Sequence, residues 1–261
     1  MLLGNGDGSF KPPLNFSVGN APAGIVAGDF NHDGVLDLAV ANQFDNTISI
    51  LIGNGDGTFK AQATYQTGPA PLGLAMGDLN GDGKLDLVVA DSGTPVQAPS
   101  LVSVLLGNGD GTFQSHQDSQ IMGPTARTVA TGDFNADGKL DLAVAANLDG
   151  ELGRAVILLG NGDGTFQFSK DNVYGTGFFA NGIASGDFNG DGVADVALPS
   201  LATNTVALLK SNGLGAMQYQ GFYGAGVQPD AIAMADLNGD NVADVVVANF
   251  VSGTVSVLVS Q

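Results

Sequence analysis

Apolar residues in this chain come in short runs, separated by clusters of Gly, Asn, Asp and Pro. That punctuation predicts strands, and in the first unit they span roughly Ile25–Phe30, Leu36–Asn42, Thr47–Ile52 and Phe59–Tyr65. The first run of each unit is rich in Gly and Ala (GIVAG, GLAMG, GIASG), as expected where backbones crowd around an axis. The second (LAVA, LVVA) is apolar on successive residues, which predicts burial on both faces. No helical period is sustained along the chain.

The pattern repeats. GDFNHDGVLD at 28–37 returns at 77–86, 132–141, 186–195 and 235–244, at spacings of 49, 55, 54 and 49 residues. A second element, GNGDGSF at 4–10, returns at 53–59, 107–113 and 160–166, with a decayed copy at 211–217. Periods of this length mark propellers and solenoids. Four antiparallel strands per unit, repeated radially, predict one all-β domain over residues 1–261, a five-bladed β-propeller. The chain starts near the end of a third strand and ends with another, so Phe10 to Val18 is expected to close the ring as the fourth strand of the last blade, beside Thr254 to Val259. By alignment Met1 to Asn5 duplicate Val257 to Gln261. Two segments cannot fill one strand, and one of them is expected to be displaced.

Composition narrows the function. The 261 residues are 44% hydrophobic and 13% charged, with no Cys and a net charge of -18 from 26 acids and 8 bases. A chain this acidic repels nucleic acid and anionic lipid, and no apolar run reaches the length of a membrane span. MLLGNGDGSF has no signal-peptide character, so the signal of a secreted protein would lie outside this chain. A monomer is expected.

Fifteen of the 26 acids sit in the five repeated loops, in the pattern D-x-N-x-D-G-x-x-D. Oxygen ligands stand at position one (Asp29, Asp78, Asp133, Asp187, Asp236), three (Asn31, Asn80, Asn135, Asn189, Asn238), five (Asp33, Asp82, Asp137, Asp191, Asp240) and nine (Asp37, Asp86, Asp141, Asp195, Asp244). Position seven offers the carbonyls of Val35, Lys84, Lys139, Val193 and Val242. Oxygen ligands without His or Cys select a hard cation, and a flexible loop favours Ca2+ over Mg2+. Turn chemistry explains Asp, Asn and Gly in one copy, but has no evident use for the acid at position nine in all five. Five bound Ca2+ would bring the formal charge from -18 to -8. In the fifth loop Asn241 replaces the glycine.

These loops, with the elements GNAP at 19–22 and GPAP at 68–71, resemble the FG-GAP or VCBS repeats of integrin α-subunit propellers, fungal propeller lectins and secreted bacterial proteins. The resemblance implies about five structural calcium ions and an extracellular or cell-surface setting. Integrin-type propellers have seven blades, so an open fragment of such an array is the alternative to a closed ring of five.

Nothing in the sequence points to catalysis: there is no Cys, no GxSxG elbow and a single Glu, Glu151. His32 fills the variable fourth position of a loop, and His116 lies in a connector. GNGDGTF reads as a tight hairpin whose Phe10, Phe59, Phe113 and Phe166 pack between blades. Calcium loops and hairpins share the bottom face. Connections that vary between units, at 42–46, 91–100, 147–154 and 174–182, share the top, where recognition of a glycan or a protein is expected. Ala23, Leu72, Arg127, Asn181 and Asp230 align just before the innermost strands and are expected to ring the channel mouth. Arg127 suits a carboxylate, from an acidic sugar or an acidic side chain, unless it pairs with Asp230. Phe44, Tyr174, Phe178, Phe179, Tyr223 and Phe250 lie in or beside top loops, and the adjacent Phe178 and Phe179 are the expected aromatic contacts. A ligand-free scaffold within a larger secreted protein is the alternative function, with a polysaccharide-active enzyme behind it.

Overall fold

A computed structural model describes residues 1–93, 100–121, 125–148 and 152–260. Top-loop residues 94–99 and 149–151, Glu151 among them, lie outside the described residues, as does Gln261. Blade one is β1 (Pro22–Gly28), β2 (Asp37–Asn42), β3 (Thr47–Leu51) and β4 (Ala63–Gln66); blade two is β5 (Pro71–Gly77), β6 (Asp86–Asp91), β7 (Leu101–Leu105) and β8 (Gln117–Gln120). Blade three is β9 (Thr125–Gly132), β10 (Asp141–Leu148), β11 (Leu152–Gly160) and β12 (Phe166–Phe178). Blade four is β13 (Ala184–Gly186), β14 (Asp195–Ser200), β15 (Thr205–Ser211) and β16 (Met217–Gly224); the last comprises β17 (Pro229–Ala235), β18 (Asp244–Asn249) and β19 (Thr254–Leu258). Each is an antiparallel meander in chain order. The five blades form a ring, a β-propeller with β1, β5, β9, β13 and β17 around the axis.

Packing follows the predicted pattern. β6 and β14 are buried along their whole length, covered on both faces as expected, whereas in β18 of the last blade Ala248 is exposed. Between blades one and two, Ala39, Ala41, Ile48 and Ile50 meet Leu74, Leu87, Val89 and Leu105. Phe113 closes that interface, edge-on to Phe30 at 5.4 Å and to Tyr65 at 5.7 Å. Gly28 sits against Met76 and Leu85, and a Cβ there would lie 2.7 Å from the Met76 sulfur. Small residues on the inner strand are therefore a steric requirement of the ring.

In blades one and three an Asn at the end of the second strand latches the top connection. Asn42 Oδ1 accepts from the Gly19 amide at 3.0 Å and Asn147 Oδ1 from the Ala180 amide at 2.9 Å, while Asn42 Nδ2 donates to Ser49 at 2.9 Å. Gly19 is pressed so close to Asn42 that a Cβ would come within 2.6 Å, which explains the glycine of GNAP. Blade two substitutes Asp91. Its Oδ2 lies 2.6 Å from Ser103 Oγ, which also stands 2.7 Å from Asp118 Oδ1. One hydroxyl proton cannot serve two carboxylates, and Asp91 Oδ1 has no partner among the described residues.

The N-terminal strand does not close the ring, in contrast to the expectation. The sheet of the last blade has three strands, and β19 is its edge. The reason is the duplication: Met1 and Leu14 exchange bonds of 2.6 and 2.9 Å, and the Lys11 amide donates to Leu3 at 2.8 Å. Met1 to Leu3 thus occupy the hydrogen-bonding edge that β19 would need. The segment docks on blade one instead, with Phe16 edge-on to Phe59 at 5.0 Å and Leu3 over Gly57. Phe10 stays 61% exposed, and Ile25, Leu36 and Val255 on the two sides of the seam are 61%, 63% and 63% exposed. Beside β19 a groove of about 730 Å³ is lined by Leu208, Gln220, Tyr223, Val245, Val257 and Val259.

Two predictions follow from these contacts. Phe16→Ala is expected to lower stability by about 1–3 kcal/mol, and Phe10→Ala to change it by under about 0.5 kcal/mol, in chemical denaturation; the reverse order would show that the segment docks on the last blade. Burial, opposed by the Ser103 hydrogen bond, pushes the Asp91 carboxyl up to about 7 from 3.8. The stability of its protonated form is complete below pH 3.8 and lost as pH rises toward 7. Asp91→Asn, the residue of three other blades, is therefore expected to stabilise the fold at pH 8, by on the order of 1–3 kcal/mol, and not at pH 4. An equal effect at both values would contradict the assignment.

Candidate functional site

Each acid-rich loop joins the first and second strands of its blade on the bottom face, and four of the five share one hydrogen-bonding plan; in the fourth, Asn189 Oδ1 accepts from Lys210 Nζ at 3.1 Å and Asn189 Nδ2 donates to Asp195. In the first, Asp29 accepts from the amides of Asp33 at 3.1 Å and Gly34 at 2.8 Å, and Asn31 Oδ1 accepts from the Asp33 amide at 3.0 Å. Asp33 Oδ1 accepts from the Val35 amide at 2.8 Å. The turn needs a left-handed residue at position six, where φ is 82° at Gly34 and 81° at Gly83. Asn241 takes φ 66° in the fifth loop, so the missing glycine does not break the pattern there. The Val193 amide, followed by the Lys210 ammonium, lowers the Asp191 pKa, and the Asn241 and Gly239 amides do the same for Asp236. Lys84 Nζ and Lys210 Nζ each approach a loop carboxylate, Asp82 and Asp191, at 3.1 Å.

The acid at position nine behaves differently from its neighbours. Asp37 is fully buried, with Oδ2 accepting from the Phe30 amide at 2.9 Å and Oδ1 from the Gly53 amide at 2.7 Å. Asp86 does the same with Leu79 and Gly107, Asp141 with Phe134 and Gly160, Asp195 with Phe188 and Ser211, and Asp244 with Leu237 and Ser260. The expectation that turn chemistry has no use for this acid is thereby corrected: it ties the loop to the end of the third strand. Among the described residues no three acidic or His side chains gather around one point, because this carboxylate is turned to the backbone. Burial raises the pKa of Asp86 and Asp141 and pushes Asp195 up to about 6.

The donor set fits a hard cation. In the first loop positions one and three bring a carboxylate and an amide oxygen onto the backbone amide of position five, whose own carboxylate accepts from position seven; the loops are exposed, and a carboxylate that accepts one amide per oxygen retains lone pairs for a metal. The hairpins, by contrast, spend their polar groups internally: Asp56 Oδ1 takes both the Thr58 amide at 2.9 Å and the Thr58 hydroxyl at 2.6 Å. They also buttress the preceding blade, as where the Gly111 amide donates to Phe30 at 3.0 Å and the Gly164 amide to Leu79 at 3.1 Å.

On the opposite face, Ala23, Leu72, Arg127, Asn181 and Asp230 line one cavity of about 430 Å³ at the channel mouth. Asn181 Nδ2 donates to Asp230 Oδ1 at 2.9 Å. No ion pair joins Arg127 to Asp230 among the described residues; Arg127 Nε and Asn181 Oδ1 are shielded from solvent and lack hydrogen-bond partners. Phe178 and Phe179 do not line this cavity. They continue the turn of the top connections: Phe178 exchanges hydrogen bonds with Ser200, and Phe179 takes φ 54°, matching 52° at Ala21 and 55° at Ala70. Tyr174 is spent on the fold, its hydroxyl accepting from the Met217 amide at 2.9 Å. Phe44 and Phe250 are exposed at the tips of top turns.

The sequence model of the FG-GAP-like repeat matches residues 1–40, 36–89, 78–144 and 133–198. The chain belongs to the FG-GAP-like repeat family. Its fifth unit lies beyond the matched residues and carries the Asn241 substitution. No curated protein matches the chain. Solved structures of similar shape include a functionally unknown protein from Desulfotomaculum acetoxidans (TM-score 0.62, 13% identity, covering 92% of this chain and 70% of that one). Others are the V. cholerae biofilm matrix protein Bap1 (0.52, 21%, 93% and 38%) and the Pseudomonas aeruginosa periplasmic gluconolactonase PpgL (0.66, 17%, 97% and 76%). At these identities they establish the propeller fold of this FG-GAP chain and nothing about its chemistry.

Proposed function

We propose that this FG-GAP propeller is a calcium-stabilised extracellular binding module, which recognises a glycan or a protein through its top face and performs no reaction of its own. The observation that carries the reading is the division between the faces. One face repeats a single oxygen-only loop five times, while the other carries the variable connections and a polar cavity. In each loop, as in Asp29, Asn31 and Asp33 with the Val35 carbonyl, the ion would neutralise carboxylates that otherwise repel one another, while Asp37 stays on the backbone amides; it serves as a structural charge. An extracellular setting agrees with a biofilm matrix protein among the similar structures. A gluconolactonase stands beside it, and a shared fold does not choose between binding and catalysis. The non-catalytic reading rests on the side chains, since the ionisable groups lining the cavity are Arg127 and Asp230, without a nucleophile beside a base.

Each site filled at 100-fold excess over its Kd adds about 2.7 kcal/mol to the folded state. At about 2–4 °C per kcal/mol for a chain of this size, two filled loops raise Tm by on the order of 10 °C. Melting curves in excess calcium and in excess EDTA are expected to differ by at least this much, and superimposable curves would refute the calcium reading. Asp33→Asn keeps the acceptor for the Val35 amide and removes one charge. It is expected to shrink the calcium increment while leaving the melting point in EDTA unchanged or higher.

A further inference from the structure

Blades one and two give the channel mouth an apolar wall of Ala23, Gly24, Leu72 and Gly73; its polar side chains, Arg127, Thr128, Asn181 and Asp230, come from blades three to five, where Ile183 and Ile232 also line it. The orientation of Asn181 is fixed, because a carboxylate only accepts and so the amide nitrogen must face Asp230. Its Oδ1 is left as an acceptor without a donor, and Arg127 Nε as a donor without an acceptor. Buried polar atoms in this condition are costly and call for partners.

We propose that this cavity binds a sugar acid, a pyranose that carries a carboxylate; the proposal rests on the reading of the top face as the binding face. The requirements are set by subtraction. An acidic side chain of a protein partner brings only acceptors, so it would answer Arg127 but leave Asn181 Oδ1 unmet and face the charge of Asp230. A neutral sugar brings hydroxyl donors for Asn181 and Asp230 but no charge for Arg127. A sugar acid supplies both, with its carboxylate on the guanidinium and its hydroxyls on Asn181 and Asp230. The apolar wall suits the C–H face of the ring. A cavity of about 430 Å³ falls within the range of small-molecule sites, and its place opposite the acid-rich loops makes binding independent of competition with calcium.

The test uses the calcium-loaded chain and three probes, glucuronate, glucose and acetate, by ligand-observed NMR titration at pH 7. Glucuronate is expected to bind at least about tenfold more tightly than either glucose or acetate, because each of these supplies one half of the required contacts. Arg127→Gln is expected to bring glucuronate to the level of glucose, Arg127→Lys to restore part of the difference, and Asp230→Asn to weaken glucose and glucuronate alike, with unchanged melting curves as the check on folding. Glucuronate binding no tighter than glucose, binding unaffected by Arg127→Gln, or binding of none of the three probes would overturn the sugar-acid assignment. The wider reading fails separately: a glycan or protein ligand that binds Arg127→Gln as tightly as the parent, undisturbed by calcium, leaves the top-face module standing without the sugar acid. A ligand displaced by calcium removes both.

Discussion

In each blade one buried aspartate holds together segments that are far apart in the chain. Asp37 takes the amide of Phe30, where the first strand ends, and that of Gly53, where the third strand gives way to its hairpin, while itself opening the second strand. Without it, two backbone donors would be buried beside no acceptor, and hydrogen bonds from amides to a charged acceptor are among the stronger contacts in a fold. The price of the arrangement is a carboxylate out of water, which burial alone disfavours. That cost appears in the raised pKa of Asp86, Asp141 and Asp195, whereas at Asp244 the Ser260 and Leu237 amides outweigh burial and lower the pKa. The carboxylates of the adjoining loop add to it, since those of Asp78 and Asp82 push Asp86 in the same direction.

Much of the fold is legible in the sequence because its signals are periodic. The strand runs, the largely buried second strand and the left-handed residue at position six of the loop, glycine in four units and Asn241 in the fifth, return in every unit, so that one unit interprets the next. What stays hidden is contact between segments that no period links. The latch at position nine hides behind its own motif: Asp37 reads as the last ligand of an ion loop, although its place directly before a fully apolar run signals a buried acid. The N-terminal segment is misread for a related reason. Pattern alone places Phe10 to Val18 beside β19, whereas Met1 to Leu3, a copy of the end of β19, already pairs with Lys11 to Leu14.

The candidate site divides in the same way. Alignment of the units brings Arg127, Asn181 and Asp230 to one mouth, and the cavity contains all three. Phe178 and Phe179 belong elsewhere, because a top connection needs a left-handed residue at that point and Phe179 fills it. The faces are thus built on different rules. The bottom repeats loop and hairpin from unit to unit, with hairpins of blades two and three buttressing the preceding blade, and the top keeps only the backbone turn and lets the side chains differ. A ring of this kind separates what stabilises the protein from what gives it specificity.

The latch is tested most directly by amide hydrogen exchange in excess EDTA. If the buried aspartates hold the blades by themselves, the amides of Gly53, Gly107 and Gly160 exchange as slowly as those of Ala39, Val88 and Ala143 in the second strands. Exchange as fast as that of the hairpin-tip amides of Gly55 and Gly109 would contradict the account, and would mean that the position-nine carboxylates face the ion loop and not the backbone.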